Sequence, residues 1–325
     1  MKQYILGISC FYHDSAAALI CNGEILGAVQ EERFSRSKND SNFPLKSVEY
    51  LLENNKIALT DVEAIFYYEK PFLTFERLIA SYIQTAPFGL RSFMLAITIW
   101  IKKKLFLKQN LVKEFRNFDK DFSDRKLFFS EHHLSHAAGS FYESGFSEAV
   151  ILVLDGVGEW TTTTVAIGRK NKISLEKEIR FPSSLGLLYS SFTGYLGFEV
   201  NEGEYKMMGL APFGQPKFKD LIKRELVNIK KDGSFRLNMK YFDYMSGLTM
   251  TNKNFNQLFG KSPRAANDPI LPIHADLAAS IQAVTEEILL KIVGSLSKEY
   301  SIPNLCLSGG VALNCVANGK IADSG

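Results

Sequence analysis

Residues 4–29, YILGISCFYHDSAAALICNGEILGAV, and residues 150–176, VILVLDGVGEWTTTTVAIGRKNKISLE, decide the fold of this chain. Each opens with an apolar run, Ile5-Leu6-Gly7-Ile8 in the first and Ile151-Leu152-Val153-Leu154 in the second. A polar turn follows, and then small or β-branched residues (Ser15 to Ile20; Thr161 to Ile167). A second turn, Cys21-Asn22-Gly23 or Gly168-Arg169-Lys170-Asn171, leads into a third apolar segment. Short β-type runs broken by Asn, Gly and Lys read as strand, turn, strand, turn, strand. The pattern is written twice at an offset of about 146 residues, and a period that long denotes two copies of a subdomain, not a solenoid.

The stretches around the copies read mainly as helices. Leu45, Val48, Leu51 and Leu52 are spaced for a helix over 44–54. Residues 72–118, rich in Phe, Leu, Ile and Lys, read as a helical insertion. Leu277, Ile281, Val284, Ile288 and Ile292 form one stripe of a helix from Asp276 to Tyr300. Asn304 to Leu307 is then a short buried strand, Ser308-Gly309-Gly310 a tight turn, and Val311 to Ala322 a helix. Strand, Gly-Gly turn and helix start, in that order, offer backbone N–H groups and a favourable dipole to an anion. Duplicated three-strand units with helices after them predict an α/β fold, the duplicated ribonuclease-H-like fold of the sugar kinase, actin and heat-shock chaperone superfamily. We place its first subdomain at 1–145 and its second at 146–325. In that fold the hairpin turns of both copies face a nucleotide cleft. The turns holding His13-Asp14 and Asp155-Gly156-Val157-Gly158-Glu159 would converge there on phosphates or a metal; function must still be argued from the site.

Composition narrows the class. The chain has 325 residues, 46% hydrophobic and 22% charged, enough for two ordinary cores. Lys plus Arg number 38 and Asp plus Glu 35, so the net charge of +3 gives little reason to expect nucleic acid or an anionic membrane as a partner. The four cysteines have no Cys-x-x-Cys pair and read as small buried hydrophobes in a reducing, cytoplasmic setting. No apolar leader follows Met1-Lys2-Gln3. The most apolar stretch, Ser92 to Ile101, is closed by Arg91 and Lys102-Lys103-Lys104 and falls short of the ~20 residues a membrane span needs.

The strongest local signal is Glu131-His132-His133-Leu134-Ser135-His136-Ala137, which holds three of the five histidines. His132 and His136, four apart, share one face of a helix and can reach one metal. Asp155, at the end of an apolar strand, is the best third ligand, because a carboxylate there is costly to bury uncompensated. Two imidazoles and a carboxylate suit Fe(II), Zn or Mn.

Seven segments, GISCFYHDSAAALICNGEI, EERFSRSKND, HHLSHAA, LDGVGE, FPSSLGLLYSSFTGYLGF, EGEYKMMGLAPFG and LSGGVALNCVANGKI, together resemble the antibiotic and nodulation O-carbamoyltransferases, in order and over nearly the whole chain. The resemblance implies an enzyme that makes a carbamoyl-adenylate from ATP and carbamoyl phosphate and passes the carbamoyl group to a hydroxyl of a small-molecule acceptor. It implies a metal, Fe(II) first, on His132, His136 and Asp155, in contact with the adenylate. Asp14 is then the candidate general base, with His13 as an alternative or an orienting partner. Gly156 and Gly158 would let backbone N–H groups approach the ligand. By resemblance Gly309 and Gly310, with Asn314, would hold the nucleotide. Lys38 and Lys206 are candidate positive partners, against the ordinary reading of solvated lysines.

Two departures stand out. Lys38-Asn39-Asp40 stands where the family shows Lys-His-Asp. The family also continues past LSGGVALNC to a further aspartate ligand and an adenylate-forming C-terminal domain. The chain is therefore read as a C-terminally truncated transfer domain. A kinase, a relative of the tRNA threonylcarbamoyl-transferase, and a catalytically incomplete nucleotide-binding fragment remain alternatives, and a homodimer is left open.

Overall fold

A computed structural model describes residues 2–100 and 105–325. Ile101 and the three lysines that close the apolar stretch lie outside the described residues. Among the described residues eleven strands and a larger number of helices group into two compact units, Met1–Glu76 with Met94–Ser135, and Arg77–Phe93 with His136–Gly325.

The first unit is built on strands β1 (Tyr4–Ser9), β2 (Ala16–Cys21), β3 (Glu24–Gln30), β4 (Val62–Tyr67) and β5 (Leu127–Phe129). Their order is β3-β2-β1-β4-β5, with β1 to β3 antiparallel and β4 and β5 parallel to β1. Asn22 and Gly23, at φ +52° and +89°, give the tight β2–β3 turn the two left-handed residues that a two-residue hairpin of matching twist demands. Alternation buries Tyr4, Leu6 and Ile8 on one face, where Leu19, Leu51, Ile65, Leu111 and Phe115 complete the core. The helix Leu45–Asn54 covers that face. Its N-terminal amides at Lys46 and Ser47 donate to the buried carboxylate of Glu31 (3.1 and 2.9 Å), an anion where the helix dipole favours one. Residues 72–118 hold the helices Pro71–Thr85, Leu90–Trp100 and Leu107–Phe115. Among the described residues no helix is long and apolar enough to cross a membrane.

The second unit repeats the plan with β6 (Glu148–Leu154), β7 (Thr161–Arg169) and β8 (Lys172–Arg180), then the small hairpin of β9 (Val227–Ile229) and β10 (Phe235–Leu237), and finally β11 (Leu305–Ser308). The main sheet runs β11-β6-β7-β8, with β11 parallel to β6 and the other pairs antiparallel. A meander of three strands followed by a parallel fourth is thus present in both sheets, which is the duplicated ribonuclease-H-like arrangement. One face of the second sheet packs on the long helix Pro272–Tyr300 through Leu277, Ile281, Val284 and Ile288. That helix starts four residues before the expected Asp276, since Pro272 suits a first turn that needs no N–H. The other face is covered by the helix His132–Tyr142, whose Ala137 and Phe141 pack on Ile151, Val153, Ala166 and Cys306.

Two sequence expectations shift. Val311 is not the start of a helix: Gly310–Leu313 forms a 3₁₀ turn, and the α-helix Cys315–Asp323 begins after Asn314, whose side chain caps it. Cys10, Cys21 and Cys306 are buried as expected, but Cys315, just past that cap, is exposed.

Two predictions test this packing. A Cβ on Gly168 would lie 2.5 Å from the Phe141 ring, so Gly168→Val should destabilise by roughly 1–3 kcal/mol in urea unfolding, and Phe141→Leu in the same chain should recover part of it. Glu287 is a second case. Burial pushes its carboxyl up, but Lys223, Lys291 and Lys219 outweigh burial and hold it at about 2, below the ordinary 4.5. A carboxyl lowered on folding stabilises above its unfolded value, and that stability drains away as pH falls from 4.5 towards 2. Urea midpoints of Glu287→Gln should therefore change less across this interval than those of the parent chain.

Candidate functional site

The end of β6 brings the main constellation together. Strand residues Ala149 to Leu154 are fully enclosed, and the chain leaves the sheet at Asp155, whose N–H still donates to Thr162 (3.0 Å). Asp155 Oδ1 accepts from Gly156 N–H at 2.8 Å and from Gly310 N–H at 3.4 Å. Its Oδ2 lies 3.6 Å from His136 Nε2, too long for a hydrogen bond. The other ring nitrogen of His136, Nδ1, sits 3.4 Å from Ser308 Oγ at the end of β11. His132 is one turn earlier on the same unbroken helix, so its place beside His136 follows from helix geometry. One ligand atom from each of His132, His136 and Asp155 lies within 4.8 Å of the others, and all three residues are half-buried.

This donor set fits a transition metal. Bonds of about 2.0–2.2 Å hold ligand atoms ~3–4 Å apart around an ion, and the 3.6 Å gap between His136 and Asp155 is of that size. A nitrogen–nitrogen–oxygen set on a helix and a strand end leaves open positions for further ligands. His132 is backed edge-on by the Tyr68 ring, 5.6 Å between centroids. Burial pushes the Tyr68 hydroxyl well above the ordinary tyrosine range, so it stays protonated.

The Asp155 turn is held by residues that the sequence reading passed over. Ser184 caps the helix Leu185–Tyr195 by accepting from Leu187 N–H, and its hydroxyl lies 2.6 Å from the Gly156 carbonyl. A Cβ on Gly186 would come within 2.8 Å of the Asp155 carbonyl and the Gly156 nitrogen. A Ser three residues ahead of a helical apolar residue was a visible cap signal; the Gly186 contact had no local signal at all. Gly309, at φ +86°, has room only for hydrogen, since a Cβ would lie 2.3 Å from the Leu154 carbonyl.

The structure distributes the remaining candidates unevenly. Gly158 N–H closes the hairpin on Thr161 (2.9 Å), and the Gly158 carbonyl accepts from Arg77 (3.1 Å). Val157 is half-buried and Glu159 buried. Gly310 presents its N–H to Asp155. Lys206 is exposed on the helix Glu204–Leu210, 5.8 Å from the Tyr205 ring, and Lys38 is exposed in its loop. In the first unit His13 Nδ1 and Asp14 Oδ2 are 2.9 Å apart at the surface, with Asp14 at φ +50°. The loop that follows Lys38 pins this turn: Ser15 N–H donates to Asp40 and Phe11 N–H to Ser41, both at 2.8 Å. The Asp40 carboxyl is held below its ordinary value, chiefly by the Asn42 N–H.

Asn314, expected by resemblance to hold the nucleotide, is tied into a buried hydrogen-bond network. Its Oδ1 accepts from Ala317 N–H and from Gln282 Nε2, both at 3.0 Å, and its Nδ2 donates to Gln282 Oε1 at 2.9 Å. Tyr189 also donates to Gln282 Oε1 (2.9 Å), and Gln282 Nε2 donates to Glu286, which pairs with Lys320. A closed amide pair with a helix cap makes Asn314 the anchor of the Gly309–Leu313 turn.

Comparison with known proteins follows from this geometry. The family model described as carbamoyltransferase N-terminus matches residues 4–325. An uncharacterized protein of Synechocystis is 52% identical over 99% of this chain and 53% of its own length. The nodulation protein NolNO of Sinorhizobium fredii is 34% identical over 97% of this chain and 43% of its own. The chain thus spans about half the length of the curated relatives it matches. Among solved structures, HypF of T. kodakarensis gives a TM-score of 0.45 at 15% identity, over 99% of this chain and 44% of that one. Component A of the (R)-2-hydroxyglutaryl-CoA dehydratase of Acidaminococcus fermentans gives 0.44 at 12%, over 99% and 88%.

The anchoring role of Asn314 is testable by stability. Asn314→Ala removes a cap worth about 1 kcal/mol and strands the buried Gln282 amide, a further cost of about 1–3 kcal/mol. Thermal unfolding should show a loss larger than a cap alone gives, and Gln282→Leu in the Asn314→Ala chain should add less than it does in the parent.

Proposed function

The chain belongs to the carbamoyltransferase family, as its N-terminal part, and from that premise we propose that it transfers a carbamoyl group from a carbamoyl-adenylate to a hydroxyl of a small-molecule acceptor. The adenylate would be made from ATP and carbamoyl phosphate by a C-terminal domain of the longer protein. The observation that carries the reading is the clustering of His132, His136 and Asp155. A family whose donor is a phosphate mixed anhydride needs a charge-stabilising centre, and these three residues would hold an Fe(II), with Zn or Mn as alternatives. Such an ion supplies Lewis acidity to an oxygen of the bound adenylate.

The rest of the chemistry falls to the chain's own groups. The acceptor oxygen bonds to the carbamoyl carbon, the bond from that carbon to the phosphate oxygen breaks, and AMP leaves with the electron pair. The hydroxyl proton passes to the Asp14 carboxylate, which His13 orients through their 2.9 Å contact. The turn before the helix Cys315–Asp323, with Gly309 and Gly310 close to Asp155, would lie against the nucleotide phosphate, where a helix start favours negative charge. Ser308, on the far nitrogen of His136, would fix which ring nitrogen faces an ion. Gly156, Val157, Gly158 and Glu159 would shape the loop beside the ligand, and Lys38 and Lys206 would add positive charge around it.

Two measurements test the reading. Elemental analysis of the purified protein should find a transition metal, and His132→Ala, His136→Ala and Asp155→Asn should each lose most of it. A protein without transition metal, or variants that keep it, count against the centre. In the complete protein, supplied with carbamoyl-adenylate and acceptor, Asp14→Asn should slow carbamoyl transfer by roughly 10²–10⁴-fold while leaving metal content intact. Unchanged turnover would remove Asp14 from the role of base.

A further inference from the structure

The two sheets are alike in strand plan and unlike in cover. In the second unit the cross-strand row Cys306, Ile151, Ala166, Leu175 lies on the face where the helix His132–Tyr142 sets Ala137 and Phe141 on Ile151, Ala166 and Cys306. An offset of about 146 residues carries Ile151 to Ile5 and Ala166 to Ile20. In the first sheet the matching row is Ala64, Ile5, Ile20, Ile25, apolar throughout. The next row on that face is Phe128, Phe66, Gly7, Ala18, Ala28. Here the similarity ends. Phe66 and Phe128 are stacked on one another yet 41% and 45% exposed, Ile25 is 45% exposed, and a groove of about 570 Å³ runs over Gly7, Ala18 and Ala28. The opposite face of the same sheet carries the unit's core under the helix Leu45–Asn54.

A sheet with one apolar face covered and the other apolar face open is half of a three-layer unit. The shape of the open face says what fits it. Small residues at Gly7, Ala18 and Ala28 let a backbone come close, Phe66 walls the groove on one side, and Gln30 and Arg33 line it on the β3 side, an apolar floor with a polar border that suits an amphipathic helix. The chain order says where the helix comes from. In the first unit β5 leads within a few residues into the helix that covers the second sheet. By the internal repeat, the segment after the second sheet owes a helix to the first. The relatives that match this chain are about twice as long, and the family match is described as an N-terminus.

We propose that the face made by Gly7, Ala18, Ala28 and Phe66 is the seat of a helix from the C-terminal part of the same protein, the counterpart of His132–Tyr142. The exchange ties each sheet to the segment that follows the other, so this half gains its full stability only when the rest of the protein is present.

The test is site-specific protection. Ala18→Cys is introduced in a Cys315→Ser background, both in the 325-residue chain and in the complete gene product, and labelled with a maleimide. The proposal expects rapid labelling in the 325-residue chain and roughly tenfold or greater slowing in the complete product, as burial under a docked element gives. Circular dichroism on both variants checks that the sheet is intact, and Ala28→Cys repeats the measurement one strand away should Ala18→Cys fail to fold. Equal labelling in the two proteins overturns the proposal. Protection that rises with the concentration of the 325-residue chain also overturns it, because a second copy is then the occupant.

Discussion

Everything at the candidate site depends on how closely two backbones approach the end of β6. Gly309 leaves room for the Leu154 carbonyl where a Cβ would stand 2.3 Å away, and Gly186 leaves room for the Asp155 carbonyl at 2.8 Å. Between these contacts the Asp155 carboxylate is aimed by the amides of Gly156 and Gly310. Any side chain at either glycine would force the turn outward and carry the carboxylate away from His136. The donor set is therefore a product of main-chain packing first and of the three ligands second. Serine reinforces it from two sides, Ser184 on the carbonyls of the turn and Ser308 on the imidazole.

The duplication explains why these contacts exist. β11 joins β6 as a parallel neighbour, with Ser308 opposite Val153, so the chain after β11 must turn over the end of β6 at the level of Asp155. A parallel pair ends its strands on the same side, which places both following loops together. The amide pair of Gln282 and Asn314 then fixes that turn to the long helix, and the Tyr189 hydroxyl closes the network. Buried amides with every partner supplied specify one arrangement; removing one leaves the others unpaired.

The sequence showed some of this plainly. The two strand-turn-strand-turn-strand patterns were legible because turn residues and period-2 burial are local properties, and the His132/His136 pair because helical spacing is local too. Asp155 was legible as a carboxylate after an apolar strand. The roles of Gly186, Gln282 and Ser308 were not, nor was the hold of the Ser184 hydroxyl on the Gly156 carbonyl, although its helix cap was. Gln282 sits in a helix that also buries Ser280, Thr285 and Glu286, and a buried polar residue gains meaning only when its partner, 32 positions away at Asn314, is known. The resemblance marks Asn314 as a nucleotide contact, and what no local pattern announces is that its amide also caps a helix and pairs with Gln282. The start of the last helix was misplaced for the same reason, because Val311 to Leu313 reads as helix until the cap at Asn314 is seen.

The uneven cover of the two sheets bears on why the chain holds its chemistry where it does. The second unit has both sheet faces packed, with the long helix on one and the helix of His132 and His136 on the other. The candidate ligand set, built from a strand end and a helix on that sheet, rests on packed apolar residues, and rigid support is what would keep ligand atoms at bonding distance. In the first unit, with one face of its sheet open, His13 meets Asp14 at 2.9 Å and the Tyr12 ring at 4.4 Å between centroids, on a turn pinned through Asp40 and Ser41. A proton acceptor tolerates small displacements that a coordination sphere does not, since it needs hydrogen-bond reach and no fixed polyhedron. On the proposed reading, the residues that demand fixed geometry stand on the sheet packed on both faces, and proton acceptance is assigned to a turn of the sheet with one face open.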